Sequence, residues 1–75
     1  NVRFTVSAPN IVKFFVGSII RVHNYSFTVD SFDVTVTEII GNDVIVNKSL
    51  GFTPSSSEVV DLIGFPDLQQ SYRVV

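Results

Sequence analysis

The sequence predicts a single all-β domain of antiparallel strands, arranged as a sandwich or a small barrel. Its 75 residues are 45% apolar, which is enough for one compact core but not for two. The strand-favouring types Val, Ile, Phe, Tyr and Thr make up 35 residues, whereas Ala, Leu, Met, Glu, Lys, Gln and Arg make up 13. Short alternating segments separated by turn residues recur along the chain, as is typical of all-β folds.

The first two strands are predicted from alternation and from one proline. Apolar and polar residues alternate over residues 2–7, and Pro9 ends this strand because it has no N–H to donate to a ladder. In the second strand Ile20 and Val22 share one face. The apolar residues change parity after this strand, so a bend or a bulge is predicted at Asn24.

The third strand has the clearest alternation in the chain. It is predicted over residues 32–37, with Phe32, Val34 and Val36 facing inward. The Gly-Asn-Asp sequence at positions 41–43 is flanked by β-branched residues and predicts a tight hairpin turn after it.

Three further strands complete the pattern. They are predicted over residues 44–49, 58–65 and 71–75, separated by a serine-rich loop and a Pro-Asp turn. The predicted core consists of the inward-facing residues Phe4, Val6, Val22, Val34, Val36, Val46, Leu62, Tyr72 and Val74.

Charge and cysteine content exclude several classes of function. The net charge of −2 is spread along the chain, so we expect no nucleic-acid partner. The absence of cysteine excludes disulfides and thiolate metal sites. The most apolar stretch, residues 11–22, contains Lys13 and Arg21 and is shorter than the roughly 20 residues of a membrane span, so we expect no membrane insertion.

No residue pattern predicts catalysis, and we expect neither an enzyme nor a cofactor. His23 is the only histidine, so a two-histidine zinc site is excluded, and an ordinary strand-edge role is predicted for it. Asp30 and Asp33 flank the turn into the third strand and are a weak Ca²⁺ candidate, but a solvated turn is favoured. The other acidic residues considered, which no spacing pairs for acid–base work, are Asp43, Glu58, Asp61 and Asp67.

Phenylalanines are frequent enough to suggest a stacking platform for sugars or bases. A nucleic-acid platform would carry interleaved basic residues, and these are few here. Most of the rings are therefore assigned to the core; the residues concerned are Phe14, Phe15, Phe27, Phe32, Phe52 and Phe65.

From residue 17 onward the chain resembles a CARDB-type domain. These domains are immunoglobulin-like sandwiches common in archaeal and bacterial surface proteins. The resemblance implies an immunoglobulin-like antiparallel sandwich of six to seven strands and a location outside the cell. It is carried by a glycine before the second strand, an asparagine after it, a V-x-V pair, a serine-rich loop and a tyrosine, namely Gly17, Asn24, Val34, Val36, Ser55, Ser56, Ser57 and Tyr72.

Compared with that family, the chain stops one strand early, at Val75. A missing final strand would leave an open edge, filled either by chain beyond a fragment or by a strand donated from a neighbouring subunit. Residues 1–8 are the candidate donor strand, and the alternatives are that this strand pairs within its own subunit or that the strand count is off by one. The predicted intersubunit contacts are Val2, Phe4, Val6, Phe14 and Phe15. Phe14 and Phe15 are adjacent, so if they lie in a strand one of the two rings must face away from the core.

Two glycosylation sequons begin at Asn24 and Asn47, where about one is expected by chance. With the resemblance, they favour a non-enzymatic extracellular module of a cell-surface filament, sheath or adhesive stalk, contacting copies of itself or neighbouring surface domains. The alternatives are a virion or phage decoration or receptor-binding domain, and an accessory carbohydrate-binding domain.

Overall fold

The structure, a computed structural model, describes residues 1–64 and 70–75 as an antiparallel β-fold with one short helix. The prediction of an all-β antiparallel domain is confirmed. The elements in chain order are β1 (Arg3–Thr5), α1 (Ala8–Ile11), β2 (Ile19–Asn24), β3 (Asp30–Ile40), β4 (Asp43–Val46), β5 (Glu58–Gly64) and β6 (Gln70–Arg73).

The strands of the described residues form one continuous sheet in the order β1-β4-β3-β2-β5-β6. The long strand β3 belongs to both halves of this sheet. Its first half pairs with β2, from Asp30 to Thr35, and its second half pairs with β4, from Val36 to Ile40. A register shift between Val36 and Glu38 marks the place where β3 bends from one half to the other.

The two edges of the sheet meet each other within the chain. Val6, just beyond β1, forms an antiparallel bridge with Val74, just beyond β6. The Val75 N–H also donates to the carbonyl of Thr5 at 2.9 Å. The edge that the sequence predicted to be open is therefore covered by the end of the chain's own first strand, which corresponds to the alternative in which that strand pairs within its own subunit.

The core lies inside this curled sheet, and the predicted inward-facing residues occupy it. All the predicted core residues are buried except Tyr72, which is half-buried and packs against the others. Each buried Val, Leu, Ile or Phe side chain contributes about 1.5–3 kcal/mol by leaving water. The buried cluster contains Phe4, Val6, Phe14, Ile20, Val22, Val34, Val36, Val44, Val46, Leu50, Val60, Leu62 and Val74.

The segment between β1 and β2 closes one end of the core. Pro9, which the sequence predicts to end the first strand, stands in the first turn of α1, where a missing N–H costs nothing. The chain then turns and places the Phe14 ring edge-on against Phe4 and Tyr72, with centroids 6.5 and 5.3 Å away. Phe15, the next residue, remains 47% exposed.

Phe32 lies outside the core, contrary to its predicted inward direction, and is 67% exposed. Arg21 pairs with Asp33 while His23 pairs with Asp30, so β3 has one more residue than β2 between these two pairs. This bulge, together with a φ of 57° at Phe32, turns the ring to the outer face.

Candidate functional site

The outer face of the β3-β2-β5-β6 half carries the polar groups that the alternation directs away from the core. The strand register places four of them side by side across the sheet. Reading from β3 to β6, these are Asp33, Arg21, Asp61 and Ser71. We use the name hairpin site for this row together with five residues of the β2–β3 hairpin, His23, Tyr25, Phe27, Asp30 and Phe32.

The turn is shaped by the side chain of Asn24, the last residue of β2. Its Oδ1 accepts from the N–H groups of Thr28 and Val29 at 3.0 and 3.3 Å, and its Nδ2 donates to Thr28 Oγ1 at 2.8 Å. Its backbone N–H donates to the Val29 carbonyl at 3.0 Å. The predicted bend at Asn24 is confirmed, and its cause is an asparagine side chain that replaces backbone partners.

Arg21 is the charged centre of the hairpin site. Its guanidinium donates to both oxygens of Asp30, at 2.9 and 2.5 Å. The hydrogen bond from Arg21, opposed by partial desolvation and helped by the N–H of Phe32, lowers the pKa of Asp30 to about 2. The guanidinium carbon also lies 5.5 and 5.4 Å from the ring centroids of Phe27 and Phe32, within the range of cation–π contacts.

His23 is only 6% exposed although it lies on the outer face. The Phe27 ring covers it in a stacked arrangement, with centroids 4.1 Å apart and planes 15° from parallel. Nδ1 contacts the carbonyl oxygen of Asn24 at 2.8 Å, and Nε2 contacts Asp61 Oδ2 at 2.7 Å. Both partners are acceptors, so both ring nitrogens donate when the imidazole is protonated.

The electrostatic surroundings of His23 agree with this geometry. Burial alone would lower the pKa of His23, but the hydrogen bonds to Asn24 and Asp61 and the negative charges of Asp61 and Asp30 outweigh it and raise the pKa. His23 is therefore a bridge between β2 and β5 rather than the ordinary strand-edge residue that the sequence predicted.

Asp61 and Ser71 extend this chain of hydrogen bonds, but not in a catalytic order. Ser71 Oγ donates to Asp61 Oδ1 at 2.6 Å. In a nucleophilic triad the histidine stands between serine and aspartate and removes the serine proton. Here the aspartate stands between them and both nitrogens of His23 are occupied, so this arrangement does not activate the hydroxyl of Ser71.

Three aromatic side chains of the site are exposed. Tyr25, Phe27 and Phe32 are 70%, 54% and 67% exposed. Phe27 and Phe32 also have φ values of 59° and 57°, in the left-handed region that bulky residues rarely adopt. Such conformations cost about 1–3 kcal/mol each and cluster at functional sites. The assignment of these two rings to the core is wrong, because the turn and the bulge direct them outward.

The predicted Ca²⁺ candidates are not brought together as a metal site. Asp30 is held by Arg21, and within residues 1–64 and 70–75 no group of three His, Asp or Glu residues converges to hold a metal ion. Asp43 accepts from Thr5 and Arg3 at the other end of the sheet, and Glu58 accepts from Ser55. Asp67 lies outside the described residues.

The predicted intersubunit contacts fall into two groups. Phe4, Val6 and Phe14 are buried in the core of their own chain. Val2 and Phe15 remain exposed.

The sequon asparagines also differ from each other. Asn24 is committed to the turn through its side chain, as described above. Asn47 is exposed, and its Oδ1 accepts from the N–H of Thr35 at 3.0 Å.

No protein-family model matches this chain, no curated protein matches it, and no solved structure matches it. Among the described residues, no helix is long and apolar enough to cross a membrane.

Proposed function

We propose that this chain is a non-enzymatic extracellular structural module, a building block of a cell-surface filament, sheath or adhesive stalk, that contacts its neighbours through the hairpin site. The observation that carries the proposal is the group of three exposed aromatic rings on one hairpin, two of them on residues with strained backbone. Exposed aromatic side chains are enriched where protein surfaces meet. The resemblance to CARDB-type surface domains supports the extracellular part of the proposal.

The state of the first strand decides how such a module assembles. Phe4 and Val6 are buried and β1 pairs with β4, so donation of this strand would first require the core to open. Assembly through an exposed surface leaves the core intact. We therefore propose surface contact rather than strand exchange.

The second candidate is a carbohydrate-binding domain, favoured by the same exposed rings, since aromatic faces pack against the C–H faces of sugars. A decoration or receptor-binding domain of a virus particle would use the same surface on a different partner. These functions differ in the partner that covers the three exposed rings: a second protein surface, a sugar or a virus particle.

Hydroxyl-radical footprinting of the native assembly, combined with its mass in solution, tests the proposal. We expect a mass above that of one chain and reduced oxidation of Tyr25, Phe27 and Phe32 relative to the isolated chain. Phe15 is the matched control, because it is an exposed ring at the opposite end of β2. A monomeric native mass, or protection of Phe15 without protection of the hairpin rings, would overturn the proposal.

A further inference from the structure

Two neighbouring groups of the hairpin site, the Phe32 ring and the Asp33 carboxylate, are exposed to solvent. The Phe32 ring lies over Arg21 on one side, and the rest of it is exposed to solvent. The neighbouring Asp33 is exposed, and it forms no hydrogen bond or ion pair with any residue of the described ranges. An aromatic face and a free carboxylate therefore stand next to each other on the surface.

The charge balance of the site indicates the sign of the missing partner. The Asp30 carboxylate forms an ion pair with Arg21, and the Asp61 carboxylate contacts Nε2 of His23. Asp33, whose charge also acts on Arg21, forms no ion pair of its own among the described residues, on a chain whose net charge is −2. A partner that is complementary to this surface carries a positive charge.

The structure already shows which kind of cation the ring accepts. The guanidinium of Arg21 packs against Phe32 at 5.4 Å while it forms two hydrogen bonds with a carboxylate. A guanidinium is planar and weakly hydrated, so it stacks on rings and pairs with carboxylates at the same time, which a lysine ammonium does less well. The exposed face of the Phe32 ring and the Asp33 carboxylate are again an aromatic ring beside a carboxylate, but no guanidinium of the described residues lies between them.

We propose that the hairpin site binds an arginine-bearing segment of a partner protein, whose guanidinium stacks on the exposed side of Phe32 and pairs with Asp33. This inference deepens the proposed function and rests on it, because it names the chemistry of the neighbour that the module contacts. The strained backbone at Phe32 holds the ring in the orientation that this contact requires.

NMR titration of the full chain with a capped glycine–arginine repeat peptide tests the proposal. The control peptide has citrulline in place of arginine, which keeps the shape of the side chain and removes its charge. We expect shifts at Phe32 and Asp33, binding about tenfold tighter for the arginine peptide than for the citrulline peptide, and weaker binding in added salt.

Variants of the chain separate the two contacts. Phe32→Asn and Asp33→Asn are each expected to weaken binding of the arginine peptide about two- to fivefold. Asparagine tolerates left-handed backbone, so the Phe32→Asn variant keeps the bulge. Glu38→Gln is the matched charge control, because it removes an exposed carboxylate from the other half of the same strand and is expected to leave binding unchanged.

Equal binding of the citrulline peptide would overturn the inference about charge and leave the proposed contact surface standing. Shifts at Phe32 with neutral oligosaccharides, and none with the arginine peptide, would assign the site to carbohydrate. No shift with either peptide would overturn the inference, while the footprinting experiment would still decide the proposed function separately.

Discussion

The two hairpins of the β2-β3-β4 meander use left-handed backbone in different ways. In the β3–β4 turn the positive φ of 60° falls on Gly41, around which a Cβ would meet no atom within 4 Å. In the β2–β3 hairpin the values of 59° and 57° fall on Phe27 and Phe32. Glycine adopts this conformation at no steric cost, whereas phenylalanine does not.

The comparison shows that the two turns meet different requirements. In the β3–β4 turn the left-handed residue has no side chain to orient, and the next residue, Asn42, holds Val6: its carbonyl accepts from the Val6 N–H at 3.0 Å and its Nδ2 donates to the Val6 carbonyl at 3.2 Å. The β2–β3 hairpin orients side chains, since Phe27 covers His23 and both rings flank Arg21. The strain is maintained by surrounding hydrogen bonds, including the one from the Phe32 N–H to Asp30.

The largest effect is expected where the two hairpins join. Val36 is buried at the point where β3 leaves β2 and begins to pair with β4. A buried unpaired carboxylate costs several kcal/mol, against a total stability of roughly 5 kcal/mol for a domain of this size, so Val36→Asp should unfold both hairpins together. Thermal unfolding checks this, with the exposed Thr37→Asp as control. A cooperative transition in the Val36→Asp variant would show that β3 does not join the two halves.

Replacing an aspartate that supports each hairpin by asparagine should lower the stability of the chain to different degrees. Asp61→Asn removes the charged partner of His23 and is expected to lower the free energy of unfolding by about 1–3 kcal/mol. Asp43→Asn at the β3–β4 end, where Arg3 is half exposed, is expected to have a smaller effect. Urea denaturation of both variants measures the difference, and equal losses would contradict the structural role of His23.

Raising the pH should weaken only the β2–β3 hairpin. The pKa of His23 is raised in the folded state, so its contribution to stability is complete below its unfolded pKa of about 6.5 and is lost as the pH rises through the folded value. The charged groups that raise the pKa of His23 are Asp61 on β5 and Asp30 on β3. The loss should be smaller than that of Asp61→Asn, since neutral imidazole keeps one N–H.

The pH experiment has a direct control. NMR titration of the His23 ring, with denaturation from about pH 6 upward, should show a slope that His23→Gln removes. The slope of the wild-type chain would be assigned to other groups if the variant retained it.

The smallest effect is expected from exchanging the residues that carry positive φ. Gly41→Ala should lower stability by about 1 kcal/mol, because alanine is strained in that conformation. Phe32→Asn should leave stability within about 1 kcal/mol of wild type or raise it, because relief of strain offsets the lost ring contact. Parallel denaturation curves check both, and a large loss in Phe32→Asn would mean that the ring is needed for folding.

The hairpin site was only partly predictable. The change of parity in the apolar residues predicts the bend at Asn24, and the sequence also places Asp30 and Asp33 beside the turn. The pair of His23 and Asp61 was missed, because 38 residues separate them and only the pairing of β2 with β5 brings them together. One signal could have indicated this pair. Arg21 and His23 are basic residues on the outer face of β2, and acidic residues on other strands are their natural partners.

The sequence by itself determined the all-β class, the turns at Asn24 and at residues 41–43, and eight of the thirteen residues of the buried cluster, because strand alternation and turn chemistry are local properties that side-chain burial then enforces. The tertiary structure alone decided the contact of Val6 with Val74 and the outward direction of Phe32. The first depends on how strands distant in sequence are paired. The second depends on a single bulge, since one extra residue and one positive φ reverse the face to which a side chain points.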